Sequence, residues 1–225
     1  MSAVLGFLLA FTAGFADTAT FVGARGVFSA HVTGNFVLFA VALFKGVHKL
    51  DYLKIFLFVP FLLAVAFVSR LSRVSRLQKN FEAVMLIVAS LFLFIPGYYF
   101  FGVTRLSDEL WNVANLFIML PVIAMGVQNG LYKVIHPTDP MTTVMTGNAI
   151  QVVIEVIGYA GVKGDFAARM KKALSIFRII MGFALGCLTA AWMVTAHSLG
   201  ALICPAIILL GLGLYKLKMT GTPVS

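Results

Sequence analysis

The stretch MTTVMTGNAIQ, residues 141–151, carries the tripeptide Thr146-Gly147-Asn148, and FSAHVTGNFVL, residues 28–38, carries it once before as Thr33-Gly34-Asn35. A shared tripeptide means little; its surroundings decide. Placing Gly34 on Gly147 sets residues 13–35 against residues 124–148. With one residue inserted in the second copy, Gly14 falls on Gly126 and Asp17 on Asn129. In both copies an apolar helix leads through a polar, turn-rich connector into a short apolar helix after Thr-Gly-Asn. A basic connector and two longer apolar runs then follow. The pattern reads as an internal duplication, with residues 1–103 as the first half and 104–225 as the second, in a single integral-membrane domain.

Composition sets the solvent. The chain has 225 residues, of which 61% are hydrophobic and only 11% charged, and its mean hydropathy is +1.01. Apolar runs at 55–68, 83–95, 116–127 and 176–194 approach or reach the length of a bilayer crossing. The expected class is therefore an all-α polytopic membrane protein. Each half should hold three long helices plus one short or discontinuous helix starting at Thr-Gly-Asn. The opening run continues past Asp17 and has no positive region before it, so it reads as a retained helix rather than a signal peptide. The net charge of +9 resides in basic residues between the apolar runs. It orients the chain in the membrane and gives no reason to expect a nucleic-acid partner. Cys187 and Cys204 lie inside apolar segments and read as packing residues.

Eight segments result, at 3–22, 33–46, 52–70 and 82–103, then 113–133, 146–161, 175–196 and 199–217. The second of each half is too short or too polar for a full crossing and suits a half-helix. If the short segments do not cross, there are six spans and the basic residues divide 12 to 5 between the two sides. If all eight cross, the division is 11 to 6. Both place the termini in the cytoplasm. Three crossings per half make the repeats inverted and four make them parallel, and the charge count leans toward inverted.

A helix that begins inside a membrane presents free N–H groups and a positive dipole end. Thr33 or Asn35, and Thr146 or Asn148, could cap that first turn with a side-chain oxygen. Gly34 and Gly147 would let the backbone bend and come close to a neighbour or ligand. Two such ends meeting near the midplane would form a solute site; the plainer alternative is a pair of structural caps. Asp17 shares a helix face with Gly6, Ala10, Ala13 and Gly14, which points it into the bundle, where an unpaired acid is costly and usually functional. Its counterpart Asn129, beside Gln128, keeps polarity without charge. Asn148, Gln151, Glu155 and Tyr159 form one polar stripe along the second short helix. Asp17 and Glu155 are thus the candidate proton-coupling residues. The alternative for either is a static ion pair, with Arg25 or Lys133 in reach. His31 and His136 lie in the two connectors, where a solvated side chain is the more common outcome than a proton relay. The run RLSRVSRLQKN, residues 70–80, reads as a cytoplasmic loop against anionic headgroups. No Ser-His-Asp arrangement, phosphate-binding loop, HExxH motif or cysteine cluster points to an enzyme, a metal or a cofactor.

These two blocks resemble the YoaK-like family of bacterial inner-membrane proteins, a domain of unknown function. AGFADTATFVGARGVFSAHVTGNFVLFA is similar to that family's opening signature, in which Ala-Gly-x-x-Asp leads to a Thr-Gly-Asn element. AMGVQNGLYKV with TTVMTGN is similar to its second block. The resemblance covers nearly the whole chain. It carries over to Gly14, Asp17, Thr33, Gly34 and Asn35, then to Gln128, Asn129, Thr142, Thr143, Thr146, Gly147 and Asn148. The KVIHPTDP connector departs from the family by lacking a basic cluster. The resemblance implies a permease-like protein of the bacterial inner membrane, with no established substrate. The expected function is transport of a small polar or anionic solute. Its site would comprise Thr33, Gly34, Asn35, Gln128, Asn129, Thr146, Gly147, Asn148 and Gln151, and proton coupling would lie at Asp17 or Glu155. A passive channel and a non-transporting lipid-binding or regulatory scaffold stay open beside it. The expected partners are membrane lipids, the solute and a second copy in a homodimer.

Overall fold

The computed structural model describes residues 3–24, 26–46, 49–74, 79–103, 116–158 and 165–221. Every regular element among them is helical, with no strand. In chain order these are α1 (Ala3–Gly23), α2 (Gly34–Lys45), α3 (Lys49–Phe56), α4 (Phe58–Leu71) and α5 (Phe81–Tyr99). Then come α6 (Met119–Ile135), α7 (Met145–Ile157), α8 (Phe166–His197) and α9 (Ile203–Gly221). A 3-10 turn at Ser198–Leu202 joins the last two, entered through Ser198 at φ +47°.

Four stretches are long and apolar enough to cross a membrane: Val4–Gly23, Tyr52–Leu71, Phe81–Tyr99 and Phe166–Thr220. The last holds both α8 and α9. Large apolar side chains such as Phe44, Trp192 and Ile157 are turned outward, which suits lipid and not water. This is a helical, membrane-embedded protein. By contrast, α2 and α7 have 12 and 13 residues, and at 1.5 Å per residue each reaches through only roughly three-fifths of a hydrocarbon core about 30 Å thick.

Glycines set how closely the long helices approach. A Cβ on Gly186 would strike the Phe11 carbonyl oxygen, and one on Gly182 would lie 2.5 Å from that of Phe7. Residues thus ascend together along α1 and α8, so the two helices run parallel. Gly126 sits against Phe61 and Gly130 against Val65, so α6 and α4 are parallel too. The small-residue face of α1 is used as its sequence suggests: Ala10 and Ala13 are fully buried, and Gly14 meets the Phe183 carbonyl. In contrast, α5 and α9 are antiparallel. Ser90 Oγ donates to the Ala206 carbonyl at 2.7 Å, Lys216 Nζ to Glu82 at 2.7 Å, and Thr220 Oγ1 to Asn80 Oδ1 at 2.7 Å.

The ends of the bundle follow. One end gathers Ser72 just after α4, the start of α5, and the ends of α6 and α9 around a shallow cleft. At the other, Gly23 meets Leu199, Gly97 meets Ile203 and Tyr99 stacks on Phe117. The segment expected at 52–70 is one span, Tyr52–Leu71, with a local irregularity at Leu57 between α3 and α4, and α8 begins well before residue 175.

Candidate functional site

Both connectors fold back along the helix they leave, and polar side chains hold them there. After α1, a turn with Gly26 at φ +78° and a Gly26 N–H bond to the Phe21 carbonyl reverses the chain. Asp17 then receives the returning segment. Its Oδ1 accepts the N–H groups of Ala30 (2.7 Å) and His31 (3.2 Å), and its Oδ2 lies 2.5 Å from His31 Nδ1. Asp17 is only 4% exposed. The lone acid expected from the sequence is therefore an engaged one; of the two partners expected for it, Arg25 lies outside the described residues, and Lys133 instead donates its Nζ to the Pro137 carbonyl. His31, expected to be solvated, is held on Asp17 through Nδ1 while its side chain stays 38% exposed.

In the second connector Asn129 takes the corresponding place. Its Oδ1 accepts the Thr143 hydroxyl at 2.7 Å and its Nδ2 donates to the Met125 carbonyl. Both links join residues 14 apart, Asp17 to His31 and Asn129 to Thr143.

The Thr-Gly-Asn elements do not cap by side chain. No side-chain oxygen caps α2 or α7, and α7 starts at Met145, so the second tripeptide lies inside its first turn. The asparagines reach backward instead. Asn35 Oδ1 accepts the Phe28 N–H and its Nδ2 donates to the Phe28 carbonyl, both at 2.9 Å. Asn148 Nδ2 donates to the Met141 carbonyl at 2.8 Å. Each spans seven residues. The reason is physical: a connector inside a membrane has peptide groups that water cannot meet, and a primary amide offers a donor and an acceptor together. The same bonds occupy the groups that would otherwise hold a solute. A Cβ on Gly34 would lie 2.9 Å from the Phe28 ring, which would have to shift; around Gly147 nothing comes closer than 3.6 Å.

Between the connectors lies a cavity of about 540 Å³. Its polar wall is His31 and Thr33 from the first connector, with Asn129, Lys133, Thr143 and Thr146 from the second half; Phe58, Phe61 and Val65 form much of the apolar side. A second cavity of about 450 Å³ lies behind the first connector, walled by Asp17, Thr18, His31 and Thr33 with Phe183 and Cys187. Thr33, Asn129 and Thr146 are thus brought together. Gly34 borders only the second cavity, and Asn35, Asn148, Gly147 and Gln151 border neither. Gln128 Nε2 donates across the bundle to the Leu9 carbonyl at 2.9 Å, away from both. Glu155 pairs with Lys172 at 2.5 Å, at the α7–α8 contact, so the polar stripe ends in an ion pair; Tyr159 lies outside the described residues. The sequence reading named Thr143 only through the family resemblance and left it out of the site, and it did not pair His31 with Asp17. The equal spacing of 14 from Asp17 and from Asn129 was the signal that could have found them.

No curated protein and no solved structure matches the chain significantly. A family sequence model does, over residues 5–215. The chain belongs to the family described as protein of unknown function, DUF1275.

Proposed function

We propose that this protein is a permease for a small polar or anionic solute, built from two inverted halves, with its site in the cavity between the two connectors. The observation that carries the reading is that Thr33 and Thr146, the two copies of one residue, line the same cavity of about 540 Å³, a size that suits a small molecule.

The duplication has support beyond the sequence. The asparagine links share one spacing and the Asp17 and Asn129 links share another. Exchanging the halves also exchanges the packing: α1 on α8 becomes α6 on α4, α5 on α6 becomes α9 on α1, and α5 on α9 maps onto itself. Equivalent helices α5 and α9 run antiparallel, which an axis in the membrane plane produces and an axis along the normal does not. With α1 parallel to α8 and α4 parallel to α6, the directions alternate through α1, α3–α4, α5, α6, α8 and α9. That is six crossings, and α2 and α7 are re-entrant from opposite sides. The basic end, holding Arg73, Lys79, Lys172 and Lys216, is the cytoplasmic one in a bacterial inner membrane. No chemistry on the solute is part of this role, and a homodimer remains compatible with the outward apolar faces.

The wall formed by His31 and Thr33 between the two cavities favours a permease over an open pore. Thermal-shift screening of carboxylates, phosphate, amino acids and sugars on detergent-purified protein would find the solute, since a ligand stabilises the state that it binds. Uptake into liposomes would follow. The reading expects a ligand whose stabilisation is lost in Thr33→Val and Thr146→Val, and flux that saturates. Flux insensitive to both changes would remove the site from this cavity.

A further inference from the structure

His31 and Thr33 line both cavities. The first cavity extends along α4 and α6 toward the ends of those helices, past Val65, Ser69 and Lys133. The second extends along α1 past Thr18 and Phe21 toward the end of α1, and α1 and α6 finish at opposite ends of the bundle. One thin segment, residues 30–33, therefore separates spaces that face opposite ways. Of His31 and Thr33, only His31 can carry a proton.

Its surroundings assign the roles. Asp17 accepts three N–H groups, from Ala30, His31 and the His31 ring, and a carboxylate so engaged acts as acceptor only. The hydrogen-bond network fixes the ring tautomer with the proton on Nδ1, which leaves Nε2 as the basic nitrogen. We propose that His31 is the proton-carrying residue of the permease, with Asp17 as its positioning residue, and that the solute which travels with the proton is a monoanion. This rests on the permease reading and deepens it.

Charge accounts for the monoanion. With His31 neutral, the pair with Asp17 carries one negative charge; with Nε2 protonated it carries none. Among the described residues, few other groups alter that balance. From α8 the second cavity receives Cys187 and no charged residue. From α6 the first receives Lys133, held on the Pro137 carbonyl. From α2 and α4 no titratable side chain lines either cavity, and the second connector presents the Thr143 backbone to the ring. Protonation is thus the step that clears a negative charge from the cavity wall and admits an anion. With Nδ1 on Asp17, the protonated ring also donates to the Thr143 backbone carbonyl, so Nε2 exchanges its proton with water of one cavity or the other as the dividing segment shifts off Thr143, and a monoanion crosses with that proton with no net charge. Imidazolium also holds Asp17 more tightly than imidazole does, so the seating of the dividing segment follows the same proton.

The test needs no identified solute. In liposomes, a membrane-impermeant maleimide is applied from either side to protein whose single thiol is native Cys187 (with Cys204→Ser), or Thr146→Cys (with Cys187→Ser and Cys204→Ser). Rates are normalised to an exposed Lys45→Cys to remove thiol chemistry. The expected result is labelling of Cys187 and of Thr146→Cys from opposite sides. The ratio of the normalised rates should follow a single one-proton titration, in which protonated and neutral forms exchange dominance at about tenfold per pH unit. In His31→Gln, and in His31→Asn should the first variant fold poorly, the ratio should be flat with both thiols still reactive. A flat wild-type ratio, labelling of both thiols from one side, or a pH response that survives in either variant would overturn the proposal. A failed solute screen with this titration intact would count against the permease reading alone.

Discussion

Asn35→Asp replaces one atom and separates a clasp from a cap. A cap needs only a side-chain oxygen, so aspartate would serve as well as asparagine. The observed clasp needs a donor too, because Asn35 Nδ2 supplies the Phe28 carbonyl at 2.9 Å with the side chain fully buried. An ionised aspartate would set two oxygens against each other there. Two outcomes compete. Releasing the clasp leaves a buried carbonyl unmet, at about 1–3 kcal/mol. Keeping it requires a protonated carboxyl that donates in place of the amide. From an ordinary aspartate value of about 3.9, that costs about 1.36 × (7.0 − 3.9), or about 4 kcal/mol at pH 7, and about 1.36 × (5.0 − 3.9), or about 1.5 kcal/mol at pH 5. The smaller cost governs, so the variant should lose about 1–3 kcal/mol at pH 7 and recover part of it at pH 5. The sign follows linkage: the clasp holds the neutral form and so raises the folded value, and its contribution is complete below the unfolded value and is lost as pH rises through the folded one. Thermal unfolding in detergent at the two pH values, beside wild type and Asn35→Ala, reads this. Asn35→Ala should lose both hydrogen bonds, with no difference between the two pH values beyond that of wild type. Wild-type stability of Asn35→Asp at pH 7 would refute the clasp and restore the cap.

Gly186→Ala should destabilise by about 1–3 kcal/mol, because its Cβ meets the Phe11 backbone and α1 must move away from α8. Gly147→Ala, with nothing nearer than 3.6 Å, should be neutral or gain up to about 1 kcal/mol of helix propensity; melting curves of both variants would show whether the order reverses. Glu155→Gln removes a partner from Lys172, whose side chain is 54% exposed, and should cost about 1 kcal/mol or less. The pH profile of transport should be unchanged in that variant, and a shifted profile would return the coupling role to Glu155.

Much of the fold was legible because bilayer length and apolar runs constrain it strongly. The short helices at each Thr-Gly-Asn, the close α1 packing through Gly14 and the class of the protein all follow from pattern. The irregularity at Leu57 was missed, although Pro60, which has no N–H to give the Phe56 carbonyl, marks it in the sequence. The site was legible in outline only. Thr33, Asn129 and Thr146 do share a cavity, but asparagine in a polar tripeptide reads equally as ligand or as strut. Only the positions of the Phe28 and Met141 carbonyls decide between them. Asp17 and His31 are 14 residues apart, across a reversal whose path depends on Gly26 and on the bonds the connector makes afterwards. Lys172 was hidden from Glu155 for a similar reason, because the α7–α8 contact depends on the direction in which the chain returns.

The central claim is that the two Thr-Gly-Asn elements enter the membrane from opposite faces. In a background without cysteine (Cys187→Ser, Cys204→Ser), the ends of the two short helices are tested singly as Lys45→Cys and Ile157→Cys. Both positions are exposed, and Arg73→Cys serves as a reference. An impermeant thiol reagent applied to right-side-out and inside-out vesicles should label Ile157→Cys and Arg73→Cys from the cytoplasmic side only and Lys45→Cys from the other side only. Labelling of Lys45→Cys and Ile157→Cys from the same side would make the repeats parallel, and the inverted two-element site would fall with that result.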